Sequence, residues 1–260
     1  MNMKKSIFLA SLLITAVGFV FAQDAASIVD KSRNRINADT ISTRSRMVIT
    51  AKNGTTSERV MDQYSKDDAK GNSRAVIQFQ SPASVAGTRF LTMENAGKDD
   101  DRWIFLPSLG KVRRIAASEG SGSFVGTDMS YDDISSATRN ADLDNHKIVK
   151  EEKFRNADCY VIESTPKDPS YQYSKMVQYI DKASFVNYKI ELYDKRGTQV
   201  KTFEILELKD VQGRLTPMVT KMSTLAAGTS TTINVDIIKY DDTIPESVFT
   251  PTYLETGRAR

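Results

Sequence analysis

The sequence predicts a mainly β protein built on one long antiparallel meander, with only a few short helices. Two observations carry that prediction. Five segments alternate apolar and polar residues with the period of two that half-buried strands require: RSRMVITAK (44–52), SRAVIQFQ (73–80), DCYVIEST (158–165), VNYKIELYDKRG (186–197) and TTINVDIIKY (231–240). Turn signals punctuate them at Asn53-Gly54, Lys70-Gly71-Asn72, Arg155-Asn156, Lys195-Arg196-Gly197 and Gln212-Gly213. Helical periodicity is scarce by comparison. DAASIVDKSRNRIN (24–37) is weakly amphipathic, and short turns fall at SPASVAG (81–87) and around Pro245 to Val248.

Strand parity sorts the side chains. Met47, Ile49, Ala75, Ile77, Phe79, Tyr160, Ile162, Val186, Tyr188, Ile190, Leu192, Ile233, Val235 and Ile237 fall on one face, and Arg44, Arg46, Gln78, Lys189 and Glu191 on the other. The apolar face cannot be left in water, and so few helices are too short to cover it. The sheet must close on itself or curl around something, and a barrel packed with its own side chains satisfies the pattern as well as a hollow one.

At the N-terminus, Lys4 and Lys5 precede an uncharged run from Ser6 to Ala22 that ends in Val20-Phe21-Ala22, the pattern of a secretory signal peptide cleaved after Ala22. Residue 23 is Gln, so the lipid-modified N-terminal Cys of a bacterial lipoprotein is excluded. Removing residues 1–22 from the 260 leaves 238, read as one domain over 23–260 with ample core for burial without crosslinks. That part carries 34 Lys and Arg against 33 Asp and Glu, a balance that gives bulk nucleic-acid binding no support. The lone Cys159 excludes an internal disulfide and reads as a buried small hydrophobe.

SEGSGSFVGTDMSYDDI (118–134) breaks the strand pattern with three glycines and an acidic cluster. A dinucleotide fingerprint needs glycine at position 125, which is Val. A phosphate-binding P-loop needs Lys after its last glycine, and Gly126 is followed by Thr127 and Asp128. An EF-hand loop from Asp128 needs Gly at its sixth position and Glu at its twelfth, where Asp133 and Arg139 stand.

DRWIFLPSLGKVRRI (101–115) followed by this stretch resembles the outer-membrane lipoprotein-sorting protein family, relatives of the periplasmic carrier LolA. Trp103, Phe105, Leu106 and Pro107 supply the aromatic strand ending in Leu-Pro. Lys111 to Ile115 supply Lys-Val-Arg-Arg-Ile. Gly122 to Asp128 and Tyr131 to Asp133 supply the glycine and Tyr-x-Asp segments. The resemblance implies an unclosed antiparallel β-barrel of the LolA/LolB kind, helices over its open side, and an apolar cavity for lipid or lipoprotein acyl chains in a periplasmic carrier. It also implies an inner-membrane exporter of the resistance-nodulation type as a partner. Within that frame, Trp103 and Phe105 join Met47, Ile49, Ile77, Phe79, Tyr160, Ile162, Tyr188, Ile190, Leu192, Ile233 and Val235 as expected cavity lining.

The glycine stretch then reads as a crossover or as a moving lid, with Gly122, Phe124, Gly126 and Tyr131 as its working residues. Phe124 and Val125 tuck inward, and Ser130 caps a short helix at Tyr131 to Ile134. Lys111, Arg113 and Arg114 form the one cationic group worth weighing as a lipid headgroup contact, against a solvated hairpin face. Catalytic signals are missing: His146 has no nucleophile elbow beside it and reads as an exposed strand-edge histidine. KDDDR (98–102) reads as a solvated hairpin tip rather than a metal site, and no cofactor motif is present. Two functions remain: a carrier that shields acyl chains, and an adaptor with a filled barrel that docks on a membrane exporter.

Overall fold

The computed structural model describes residues 24–95, 99–135 and 139–259. The expected signal peptide lies outside the described residues, as does Lys98 of the KDDDR hairpin. The chain opens with helix α1 (Ala25–Arg33) and then makes a first meander of β1 (Thr40–Thr50), β2 (Thr56–Asp67), β3 (Ser73–Ser81), β4 (Arg89–Met93), β5 (Asp101–Leu106) and β6 (Lys111–Ile115). After residues 116–143 a second meander runs through β7 (Asp144–Phe154), β8 (Ala157–Pro166), β9 (Lys175–Asp181), β10 (Asn187–Tyr193), β11 (Gln199–Val211), β12 (Arg214–Thr224) and β13 (Thr229–Tyr240).

All thirteen strands form one sheet in the order β6-β5-β4-β3-β2-β1-β13-β12-β11-β10-β9-β8-β7. The first and last strands therefore meet in the middle, where β1 pairs antiparallel with β13. The free edges are β6 and β7, neighbours in sequence that stand at opposite ends of the sheet. The expectation of an unclosed antiparallel barrel holds. Both edges carry the features that discourage pairing with other chains: β6 is five residues long with Lys111, Arg113 and Arg114, and β7 is lysine-bearing with an irregularity between Ile148 and Lys150.

Three apolar clusters arise from the alternation. On the inner face, Met47, Met61, Ile77, Phe79, Phe90, Ile104, Ile115, Met176, Leu192 and Met222 pack together, drawn from strands of both meanders. Further along the same face, Tyr160, Ile162 and Ile180 lie beneath Ala25 and Ile28 of α1. The outer face of β3–β6 is covered by the C-terminal segment, whose Val248, Phe249, Tyr253 and Leu254 pack on Val76 and Leu91. That segment ends in helix α3 (Pro251–Thr256), where the Thr250 hydroxyl accepts the Tyr253 N–H at 3.2 Å and Gly257 closes the helix at φ 66°.

Two expectations are corrected here. Trp103 and Phe105 pack in the outer cluster against the C-terminal segment, not in the interior. Register explains it: Trp103 pairs with Leu91 and Phe105 with Arg89, so alternation turns Arg102, Ile104 and Leu106 inward instead. Ile237 also leaves the inner face. The β1–β13 register shifts between Arg44 and Ser45, which pair with Ile237 and Val235, so Asp236 is an extra residue. The bulge places Ile237 opposite the outward Arg44, 52% exposed, while Val235 stays opposite the buried Ser45.

Candidate functional site

Between the two free edges, residues 116–135 and 139–143 form a strap across the half-barrel. Its Phe124 is fully buried in the inner cluster, its ring 5.3 Å from Phe90, 5.9 Å from Phe79 and 5.8 Å from Tyr131. Met129 of the strap is buried in the same cluster, and Val125, Tyr131 and Ile134 pack against it. The strap is thus a wedge seated in the trough, and the predicted inward turn of Phe124 and Val125 is observed.

Local sequence shapes the wedge. Val125 (φ 50°) and Gly126 (φ 74°) are both left-handed, and the Thr127 N–H donates to the Phe124 carbonyl at 3.1 Å, the geometry of a type I′ turn. A β-branched residue resists that conformation, and the Arg59 guanidinium, donating to the Val125 carbonyl, helps to hold it. Helix α2 (Tyr131–Ser135) begins with a reciprocal cap: the Asp133 N–H donates to Ser130 Oγ at 3.0 Å, and the Ser130 N–H to Asp133 Oδ2 at 2.8 Å. The strap glycines under steric constraint are Gly120, where an added Cβ would overlap the Asp132 carboxylate, and Gly122, where it would stand 3.0 Å from the Glu119 carbonyl oxygen. Gly122 has no positive φ, so only Gly126 of the two expected glycines needs the left-handed region.

Buried carboxylates pin the strap to both meanders. Asp128 is anchored to β13: Thr231 Oγ1 donates to its Oδ2 at 2.7 Å, and the Thr229 hydroxyl donates to Oδ1. Asp133 accepts from Lys201 Nζ of β11 at 2.7 Å, from the Tyr173 hydroxyl at 2.7 Å and from Gln172 Nε2 at 3.3 Å. Burial, then the Asp133 charge, push the Tyr173 phenol far above its usual range. Asp132 accepts from Arg102 Nη1 of β5 at 2.6 Å, and burial raises its carboxyl while Arg102 opposes the rise. Arg102 is itself buried, which corrects the solvated reading of KDDDR. Its neighbour Asp100 is pushed up to about 6, chiefly by burial.

Beside the wedge the trough stays open as a cavity of about 700 Å³. Ile41, Met61, Ala75, Ile77 and Phe90 from β1–β4, Phe203 and Ile233 from β11 and β13, and Met129 and Ile134 from the strap make its walls. Polar residues frame it at Asp30, Arg33 and Asn34 near the end of α1 and at Lys66 and Asp67 near the end of β2. A second recess of about 800 Å³ on the other side of α2 is lined by residues such as Asp100, Arg102, Asp132 and Arg139.

The expected lining residues separate by position. Ile77 and Ile233 face the open cavity. Met47, Ile49, Phe79, Ile190 and Leu192 belong to the inner cluster that the wedge fills. Tyr160 and Ile162 share that face but are covered by α1, and Tyr188 sits half-buried at a register shift in β10. Lys111 and Arg113 share one face of β6, but Arg114 does not join them. Consecutive strand residues alternate, so Arg113 lies opposite Ile104 and Arg114 opposite Trp103, on opposite faces. Arg113 donates to Glu119 at 2.6 Å and Arg114 pairs with Asp101. Sequence reasoning missed Met61, Phe90 and Phe203 of the walls, and Arg59 and Asp128 of the strap's anchors.

His146 is likewise not an exposed edge residue. It is half-buried, with Nδ1 2.7 Å from Ser164 Oγ and Nε2 2.7 Å from the Ala141 carbonyl, to which that nitrogen must donate. Ser164 is fully buried and also accepts from Gln178 Nε2 at 2.7 Å, so this Ser-His pair is a structural tie without access for a substrate. Cys159 is buried, as expected. Among the described residues no helix is long and apolar enough to cross a membrane.

An open antiparallel half-barrel, wedged by its own crossover and hollow beside the wedge, is a fold shared with solved lipoprotein-sorting and LolA superfamily structures. A family model whose description reads "Uncharacterized protein" matches residues 71–256, and the chain belongs to this DUF1329-like family. A DUF1329 family protein from Desulfovibrio piger has a similar structure, with a TM-score of 0.84, 27% identity, and coverage of 88% of this chain and 97% of that one. An outer membrane lipoprotein-sorting protein domain from Vibrio parahaemolyticus is similar at a TM-score of 0.84 and 26% identity, over 89% of this chain and 98% of that one. A LolA superfamily protein from Nitrosomonas europaea shares the fold at a TM-score of 0.71 and 23% identity, over 89% of this chain and all of that one. No curated protein matches the chain.

Proposed function

We propose that this protein is a periplasmic carrier that holds the acyl chain of a lipid or lipoprotein in the cavity beside the strap, for sorting or transport to the outer membrane. In this reading the signal peptide is removed after Ala22 and residues 23–260 act as one domain. The observation that carries it is the cavity itself: about 700 Å³ of open space whose wall includes Ile41, Met61, Ile77, Phe90, Phe203 and Ile233. That volume lies within the range of pockets that hold one small organic ligand. Each methylene buried there contributes roughly 0.8 kcal/mol without any directional contact, so chain binding needs no catalytic group. Similarity to a lipoprotein-sorting domain supports the same reading.

Native mass spectrometry of the secreted protein, released from the periplasm without detergent, tests it. A carrier gives a lipid-sized adduct that organic solvent removes. A protein found only as the bare chain, and unable to take up added lipid, is not a carrier. The second reading is an adaptor docking on an exporter of the resistance-nodulation type. It draws on the exposed Leu206, Leu215 and Ile237 of β11–β13, and is favoured by that second result.

A further inference from the structure

The cavity walls are not uniformly apolar. Gln63 and Ser65 lie two residues apart on β2, on one face, and both line the cavity. The cross-strand neighbours of Gln63 are Thr43 and Ile77, so a carboxamide stands between a hydroxyl-bearing and an aliphatic side chain. Among the described residues its side-chain hydrogen bond runs from Nε2 to Ser65 Oγ at 3.4 Å, beyond the range of a well-formed bond. An amide offers two donors and an acceptor with two lone pairs, so most of that capacity faces the cavity. Several other polar groups of the inner wall are engaged. The Thr92 and Ser135 hydroxyls pair at 3.3 Å, and Asp133 is bonded to Lys201, Tyr173 and Gln172.

Cations near the cavity are engaged as well. Arg33 pairs with Glu94 at 2.8 Å, and Lys66 pairs with Glu246. A carboxylate placed deep in the cavity would lose its hydration while both lining cations among the described residues, Arg33 and Lys66, are already paired. An uncharged carbonyl would lose little, because Gln63 Nε2 can donate to it.

We propose that Gln63, supported by Ser65, is a specificity-determining residue that selects acyl chains ending in an uncharged ester carbonyl over free fatty acids and plain hydrocarbons. This inference rests on the carrier reading, and its test separates the two. The purified full-length secreted protein is loaded with the uncharged dye diphenylhexatriene, which is then displaced by methyl laurate, laurate or dodecane. The same series is run on Gln63→Leu and Ser65→Ala. Comparing each ligand across variants cancels its own solubility.

Loss of one net hydrogen bond should raise the methyl laurate concentration for half-displacement about three- to tenfold in Gln63→Leu. Dodecane displacement should be unchanged or improved, and Ser65→Ala should shift methyl laurate in the same direction by less. Laurate should be the weakest competitor of the wild type. Equal shifts for methyl laurate and dodecane, no shift in either variant, or laurate as the preferred competitor would each overturn the assignment. Should Gln63→Leu melt below the working temperature, Ser65→Ala alone decides by the same criterion. Failure of diphenylhexatriene to bind the wild-type protein would instead sink the carrier reading, and the selectivity with it.

Discussion

Asp128 and Thr231 are 103 residues apart in the chain and bonded twice: the Asp128 N–H donates to Thr231 Oγ1 at 3.0 Å, and that hydroxyl donates to Asp128 Oδ2 at 2.7 Å. Thr231 lies on β13, the strand that joins the two meanders through β1, so this contact ties the middle of the strap to the seam of the sheet. Replacing Asp128 by Ala leaves the Thr229 and Thr231 hydroxyls without their carboxylate in a buried setting. The expected cost is about 1–3 kcal/mol, read as a lower midpoint of urea unfolding. A midpoint equal to wild type would show that the strap is held without this tie.

Phe124 anchors the strap by burial. Truncation to Ala should cost about 3–5 kcal/mol, because the residue is fully buried among Phe79, Phe90 and Tyr131 and the cavity left behind cannot fully collapse. This packing predicts a fixed wall rather than a moving lid. The Phe124 amide, which donates to the Met129 carbonyl at 2.8 Å, should exchange with deuterium as slowly as the amides of β1 and β13. Exchange within seconds at neutral pH would establish a gate instead.

Burial raises the Asp100 carboxyl to about 6 from its ordinary 3.8. The folded state thus binds this proton more tightly than the unfolded state, so stability falls as pH rises between about 4 and 6. Asp100→Asn removes the ionisation. The variant should match wild type near pH 4 and exceed it at pH 7 by on the order of 2 kcal/mol, read from unfolding midpoints at both pH values. A variant less stable than wild type at pH 7 would show that the Asp100 charge is favourable through Arg102.

Trp103 is the chain's one tryptophan, and it packs outside the half-barrel beneath the C-terminal segment. Filling the cavity should leave its emission maximum where it is. Removing residues 250–260, and α3 with them, should expose Trp103 and shift the emission to the red. A shift on lipid addition alone would place Trp103 against the ligand.

The sequence discloses what depends on near neighbours. Alternation assigns Met47, Ile77, Phe79 and Leu192 to the inner face, and Ser130 with Asp133 announces the cap of α2. Phe124 is readable as an inward residue because glycines flank an aromatic in a polar stretch. What fails depends on register: a one-residue offset turns Trp103 and Phe105 outward, and the bulge at Asp236 ejects Ile237. The anchors Arg59 and Asp128 leave no local signal, because their partners lie 66 and 103 residues away. The hollow beside the wedge is equally silent, since Met61 and Phe90 would look the same in a filled barrel.

On the carrier reading an acyl chain binds in the cavity bounded by Ile77 and Ile233, and titration of the purified protein with diphenylhexatriene, on wild type and on Ile233→Trp, decides whether it does. The indole enters open space rather than a packed core, so the variant should keep its melting temperature while losing dye uptake, against saturable uptake by the wild type. Equal uptake by both proteins would contradict the claim by placing the ligand elsewhere, and no uptake by either would contradict it by leaving the cavity without an apolar ligand.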